Sequence, residues 1–221
     1  MTTTPAPTVP TPAHLEKFFS RVDPVRGRLI FAVDATASRQ PTWDLAAQLQ
    51  AQMFATVDAL GGLDVQLVYY RGLGECVASR WLADGKALGS IMSRVNCAAG
   101  RTQIQRVLTH ARRENARARV NALTLISDGC EEIPGDLFAD ARELVGVPVF
   151  LFQEGDNVEV ARVYAEIATI TGGAHCKFDA CSAQCLADLL RAVAAFAVGG
   201  VKALTGQNTE AARLLLTQIK K

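Results

Sequence analysis

The chain has 221 residues, 49% of them hydrophobic and 20% charged, which suits one substantial globular domain with short appendages and excludes a disordered chain. No uncharged apolar span of about 18–20 residues interrupts it, so a transmembrane protein is not expected. With 23 basic and 22 acidic side chains the net charge is +1, too weak a field to condense on nucleic acid or an anionic membrane.

Residues 1–11 are mostly Thr and Pro, a composition that buries nothing and predicts an extended, solvated tail. Residues 12–26 hold a predicted docking helix, with Thr11 as its cap, Pro12 at the first helical position and Leu15, Phe18 and Phe19 on one face. The opening stretch has neither the basic segment nor the apolar core of a secretory signal, so a cytoplasmic protein is expected. The six cysteines (Cys76, Cys97, Cys130, Cys176, Cys181 and Cys185) are too sparse for a disulfide scaffold and are expected to be reduced thiols.

From Arg28 the pattern changes. RLIFAVD is a near-continuous apolar run stopped by an acid, as in a parallel strand buried on both faces. Residues 42–60 have helical spacing with Gly61 and Gly62 as a stop, and LDVQLVYY follows as a second strand. ECVASRW alternates weakly and suits an edge strand, while residues 84–94 and 102–118 read as helices. VNALTLISDG is again apolar and again stopped by an acid. Residues 134–145 predict a helix, VPVFLFQ a strand, 158–173 a helix ended by glycine, AHCKF a short strand and 182–198 a helix. Residues 199–221 read as a linker and an amphipathic helix capped by Asn208 or Thr209. Leu214, Leu215, Leu216 and Ile219 form its apolar side, expected to dock on the domain.

Strand and helix alternate throughout, which calls for an α/β fold: an open, doubly wound, mostly parallel sheet with helices on both faces. In such sheets functional groups gather beyond the carboxyl ends of the strands, where strand order reverses, and Asp34 and Asp128 sit at such ends. After the first strand, DATAS places Asp34, Thr36 and Ser38 on one loop with alternate oxygens free to turn toward one point. CAAGRTQI adds Thr102 before a helix, with Gly100 allowing unusual backbone angles at the turn, and LISDG adds Asp128. Hydroxyls with one or two carboxylates are hard ligands, suited to a divalent ion that keeps some of its waters.

DATAS, the Gly100/Thr102 pair and LISDG, in that order on those elements, resemble the metal-ion-dependent adhesion site of von Willebrand factor A domains, over roughly residues 27–198. The resemblance implies a Rossmann-like six-stranded fold with magnesium or manganese at the top of the sheet. It implies direct ligation by Thr36 and Ser38, ligation by Thr102 directly or through water, and ligation by Asp34 and Asp128 largely through water. Two positions depart from the family pattern: Thr36 stands where serine is usual, keeping the hydroxyl, and Arg101 replaces a glycine.

A cation served mainly through water by two carboxylates keeps positive character and a free coordination position, which a Glu or Asp of another protein completes. The expected function is therefore a non-enzymatic, metal-dependent protein-interaction module. The alternative is a magnesium-dependent phosphohydrolase of the haloacid dehalogenase type, with Asp34 as nucleophile; that chemistry wants a second acid two residues on, where this chain has Thr36. Glu131, Glu132 and Asp136 follow the fourth strand near the same rim, where acids attract an ion or discourage the wrong acidic partner; the plainer reading is a solvated loop and helix start, and they are not counted as ligands. Arg112, Arg113, Arg117 and Arg119 lack interleaved aromatics, so nucleic acid is not expected. His175 and Cys176 are adjacent on a strand and point to opposite faces, which argues against zinc shared with Cys181 and Cys185. Trp43 and Trp81 are expected to pack.

Overall fold

The structure, a computed structural model, describes residues 26–57, 62–178 and 183–219. The tail and docking helix expected before residue 26 lie outside them. Six strands form one sheet: β1 (Gly27–Asp34), β2 (Leu63–Arg71), β3 (Glu75–Ala78), β4 (Ala122–Ser127), β5 (Val149–Glu154) and β6 (Ala174–Phe178). The helices are α1 (Gln40–Val57), α2 (Gly85–Met92), α3 (Ile104–Arg117), α4 (Pro134–Glu143), α5 (Val158–Thr171), α6 (Ala183–Gly206) and α7 (Glu210–Gln218).

Strand order is β3-β2-β1-β4-β5-β6, with every pairing parallel except that of β2 with β3. The doubly wound α/β fold read from the sequence is the fold observed, and the weakly alternating segment is its antiparallel edge.

The apolar runs form central strands because both faces are covered. Leu29, Phe31 and Val33 enter the core shared with α1, α2, α6 and α7, while Ile30 and Ala32 enter the core shared with α3, α4 and α5. All six residues of β4 are buried. Trp43 fills the first core and donates its indole N–H to the Met92 carbonyl at 3.1 Å. Trp81 lies under the Arg28 guanidinium, 3.9 Å from its ring centre, and donates to Glu114 at 2.8 Å. Both tryptophans pack, as expected.

At the carboxyl-terminal end the helix starting at 183 runs past 198 to Gly206, broken at Gly200, whose φ of 61° departs from helical geometry. Its stretch Gln184–Gly206 is long and apolar enough by composition to cross a membrane, which the sequence reading did not foresee; half of it is buried in the fold. Thr209 caps α7, accepting the Ala212 N–H at 3.1 Å, and Ala211, Ala212 and Leu215 are buried. Leu214 instead faces solvent, so the apolar side is narrower than the four residues expected.

At the far edge of the sheet this helix covers one residue: the Gln218 carboxamide accepts the His175 backbone N–H at 2.9 Å and donates to the His175 carbonyl at 3.0 Å. His175 and Cys176 do face opposite ways, the imidazole 3.0 Å from Gln153 and the thiol in the first core. Cys181 lies outside the described residues. Burial pushes the Cys176 thiol up to about 12.

Candidate metal centre

β1 and β4 lie side by side with Val33 opposite Ile126, yet the chain visits β2 and β3 before returning to lay down β4. Strand order reverses here, so the loops leaving β1 and β4 diverge and open a crevice. A cavity of about 360 Å³ occupies it, and Asp34, Thr36, Ser38, Thr102 and Asp128 all border it, together with Glu131. The three motifs separated in sequence are thus brought to one place.

Asp34 ends β1 almost fully buried, at 1% exposure. Its Oδ1 accepts the Thr36 N–H at 2.8 Å, a local turn that fixes the loop. Its Oδ2 accepts the Ser127 hydroxyl at 2.9 Å, and Ser127 in turn accepts the buried Tyr70 hydroxyl at 3.0 Å. Tyr164 steadies the same strand end, donating to the Gly129 carbonyl at 2.6 Å. Burial raises the Asp34 carboxyl above its ordinary value, against the hydrogen bonds from Thr36 and Ser127, and the negative Asp128 adds to the rise. The site therefore holds a buried carboxylate whose charge is incompletely compensated.

Past Asp34 the backbone enters a tight turn over Ala37–Arg39 and runs straight into α1. This leaves Thr36 Oγ1 and Ser38 Oγ 3.5 Å apart at the cavity, with Ser38 exposed to it. Thr102 comes from the loop before α3. Its hydroxyl accepts the Glu131 N–H at 2.9 Å and donates to Glu132 at 2.5 Å, while its own N–H donates to Glu131 at 2.9 Å. A hydroxyl with one donor and one of two lone pairs engaged retains a single lone pair for a cation.

Glu131 is exposed, as in a solvated loop, and Glu132 partly so, yet both are tied to Thr102, because the loops after β4 and before α3 share one rim. Gly100 does not use the backbone freedom open to glycine. Its φ is not positive; a Cβ there would lie 2.2 Å from the Gly72 backbone, so the glycine permits close approach of two loops.

Arg39 was not singled out in the sequence. Its side chain is 2% exposed and lies 3.7 Å from Asp128 and in contact with Glu154, itself bonded by Thr42. Its Nε and Nη2 are buried without a hydrogen-bond partner among the described residues. The only signal was a basic residue directly after the oxygen-rich loop.

Asp34 bears on the phosphohydrolase reading as well. Both of its oxygens already accept hydrogen bonds and position 36 carries a hydroxyl in place of an acid, an arrangement that lends that reading no support.

Neither a family model nor a curated protein matches the sequence. Solved structures do match. A von Willebrand factor type A protein from Catenulispora acidiphila is 21% identical, with a TM-score of 0.63 over 79% of this chain and 43% of that one. The pilus adhesin SpaC from Lactobacillus rhamnosus GG, in its open conformation, is 11% identical, with a TM-score of 0.59 over 78% of this chain and 30% of that one. The VWA domain of SpRpn10 is 12% identical, with a TM-score of 0.54 over 70% of this chain and 89% of that one. The chain thus spans less than half the length of the first two proteins and most of the isolated domain. Strand order, helical layers and these likenesses together establish that this chain has the von Willebrand factor A fold.

Proposed function

We propose that the chain is a non-enzymatic protein-interaction module that takes a Glu or Asp side chain of a partner protein through a magnesium or manganese ion held in the cavity between β1 and β4. The observation that carries the reading is the convergence of two carboxylates and three hydroxyls on one cavity around a buried, undercompensated Asp34. The donor set fits such an ion: every candidate is a hard oxygen. Thr36, Ser38 and Thr102 would offer hydroxyls, with Asp34 and Asp128 behind them.

When bound, the ion would supply a Lewis-acidic position for an incoming carboxylate. The chain's own residues do the rest. Ser127 and the Thr36 N–H hold Asp34 in one orientation, Arg39 draws on Asp128, and Glu131 and Glu132 fix Thr102. Among structures of the same fold are a pilus adhesin and a COPII-coat protein, names in keeping with a binding role.

The test is capture of partners by immobilised protein in magnesium and again in EDTA. A partner retained only with metal, and lost from the Ser38→Ala variant, supports the reading. Retention indifferent to both overturns it.

A further inference from the structure

The two edges of the sheet are finished differently. On β6 the Gln218 carboxamide takes both outward backbone groups of His175. On β3 nothing does so among the described residues. The Ser79 N–H bonds the Leu67 carbonyl at 2.8 Å, and antiparallel pairs alternate, so residues 75, 77 and 79 face β2 while Cys76 and Ala78 turn their N–H and C=O groups outward. Such an edge is a template for another strand.

The two sides of that edge differ in chemistry. On the α3 side, a groove of about 410 Å³ has Cys76 and Ala78 on its floor and Arg106 and Arg113 along its wall. On the α2 side, a groove of about 250 Å³ is lined by Leu67, Tyr69, Val77, Ile91 and Val95, with Arg94 at its margin. Arg94, Arg106 and Arg113 have no carboxylate partner among the described residues. Glu75, the acid on the strand itself, is spent on Arg71 at 2.8 Å.

We propose that the outer edge of β3 docks an extended acidic segment of a partner protein, its backbone pairing with Cys76 and Ala78. Its alternate residues would place carboxylates beside Arg106 and Arg113 and apolar side chains against Val77 and Tyr69. Alternation of side chains across a strand makes an acid/apolar repeat the sequence that satisfies both grooves at once. A second copy of this chain is a poor occupant, since two edges flanked by unpaired arginines repel. Residues 1–25 are also a poor match: they are rich in Pro, which lacks the N–H, and their acids Glu16 and Asp23 are balanced by Lys17 and Arg21.

The probe is a fluorescein-labelled peptide of about eight residues alternating Glu and Val, titrated against the full chain by fluorescence anisotropy. EDTA is present throughout, so the cation-bridged reading above plays no part in the outcome. Binding is expected, with slowed amide exchange over residues 75–79. It should weaken at least about tenfold in Arg106→Glu/Arg113→Glu, and to a similar extent in Ala78→Pro, which removes an outward N–H. Both variants should keep the wild-type melting temperature.

Absence of binding overturns the proposal, as does equal binding of a Lys/Val peptide or of a Glu/Val peptide interrupted by proline. A concentration-dependent dimer abolished by Ala78→Pro would assign the edge to a second copy. Binding seen only after residues 1–25 are removed would assign it to the chain's own amino-terminal segment.

Discussion

Asp34 and Asp128 end neighbouring regions of the sheet and border the same cavity, but they are held in opposite ways. Asp34 is buried and gripped at both oxygens by Ser127 and the Thr36 N–H. The side chain of Asp128 is 38% exposed, and its charged neighbour is Arg39 at 3.7 Å. The contrast separates two properties a metal centre needs. One carboxylate is already fixed, at the expense of a desolvated charge; the other is partly exposed, its field shared with an internal cation.

The largest effect that would break this comparison is loss of metal response. At a magnesium concentration a hundred times its dissociation constant, binding stabilises the fold by about 2.7 kcal/mol, a rise of about 5–10 °C in melting temperature for a domain of this size. Differential scanning fluorimetry should show that rise for the wild type and none for Asp34→Ala. A flat wild-type trace at saturating metal would remove the metal from the account.

Next in size is the support beneath each carboxylate. Ser127→Ala strips Asp34 of one partner and leaves the buried Tyr70 hydroxyl unpaired, so chemical denaturation without metal should register a loss of about 1–3 kcal/mol. Asp128→Ala should cost less, about 1 kcal/mol or under, since Asp128 is partly exposed and Glu154 still serves Arg39. Equal losses would show that the two strand ends are not different in kind.

Arg39 offers a smaller test. Arg39→Met removes a positive charge beside Asp128, and calorimetric titration should find manganese bound about threefold to tenfold more tightly. Unchanged affinity would mean the guanidinium serves Glu154 alone.

The smallest effect is in pH. Because the folded-state pKa of Asp34 is raised, the folded protein holds that proton more firmly than the unfolded chain. The associated stability is fully present below the ordinary value of 3.8 and is lost as pH rises through the folded-state value. Acid-range melts of the metal-free wild type and Asp34→Asn should therefore draw apart in that direction over that window. Parallel curves would place the Asp34 charge in a better-compensated setting than its burial implies.

Much of the architecture was legible because both acid-terminated apolar runs are covered on two faces, leaving one pattern and one stop for each. The motif residues border one cavity because those stops fall on adjacent strands at the reversal point. What escaped depended on contacts remote in sequence. Gly100 is needed by Gly72, not by its own turn. Glu131 and Glu132 look like any exposed acidic pair until α3 brings Thr102 beside them. Arg39 gives no periodic sign of burial. Gly199 and Gly200 read as a linker, whereas α6 resumes beyond them because its apolar face still has a core to cover.

The Gln218 carboxamide has one more consequence. By occupying the backbone of His175 it does with a single side chain what a further strand would do at that residue, so the last helix blunts that flank of the sheet. A polypeptide shortened before residue 208 would retain the six strands yet uncover the His175 backbone, and such a truncation should self-associate more than the intact chain in sedimentation at equal concentration.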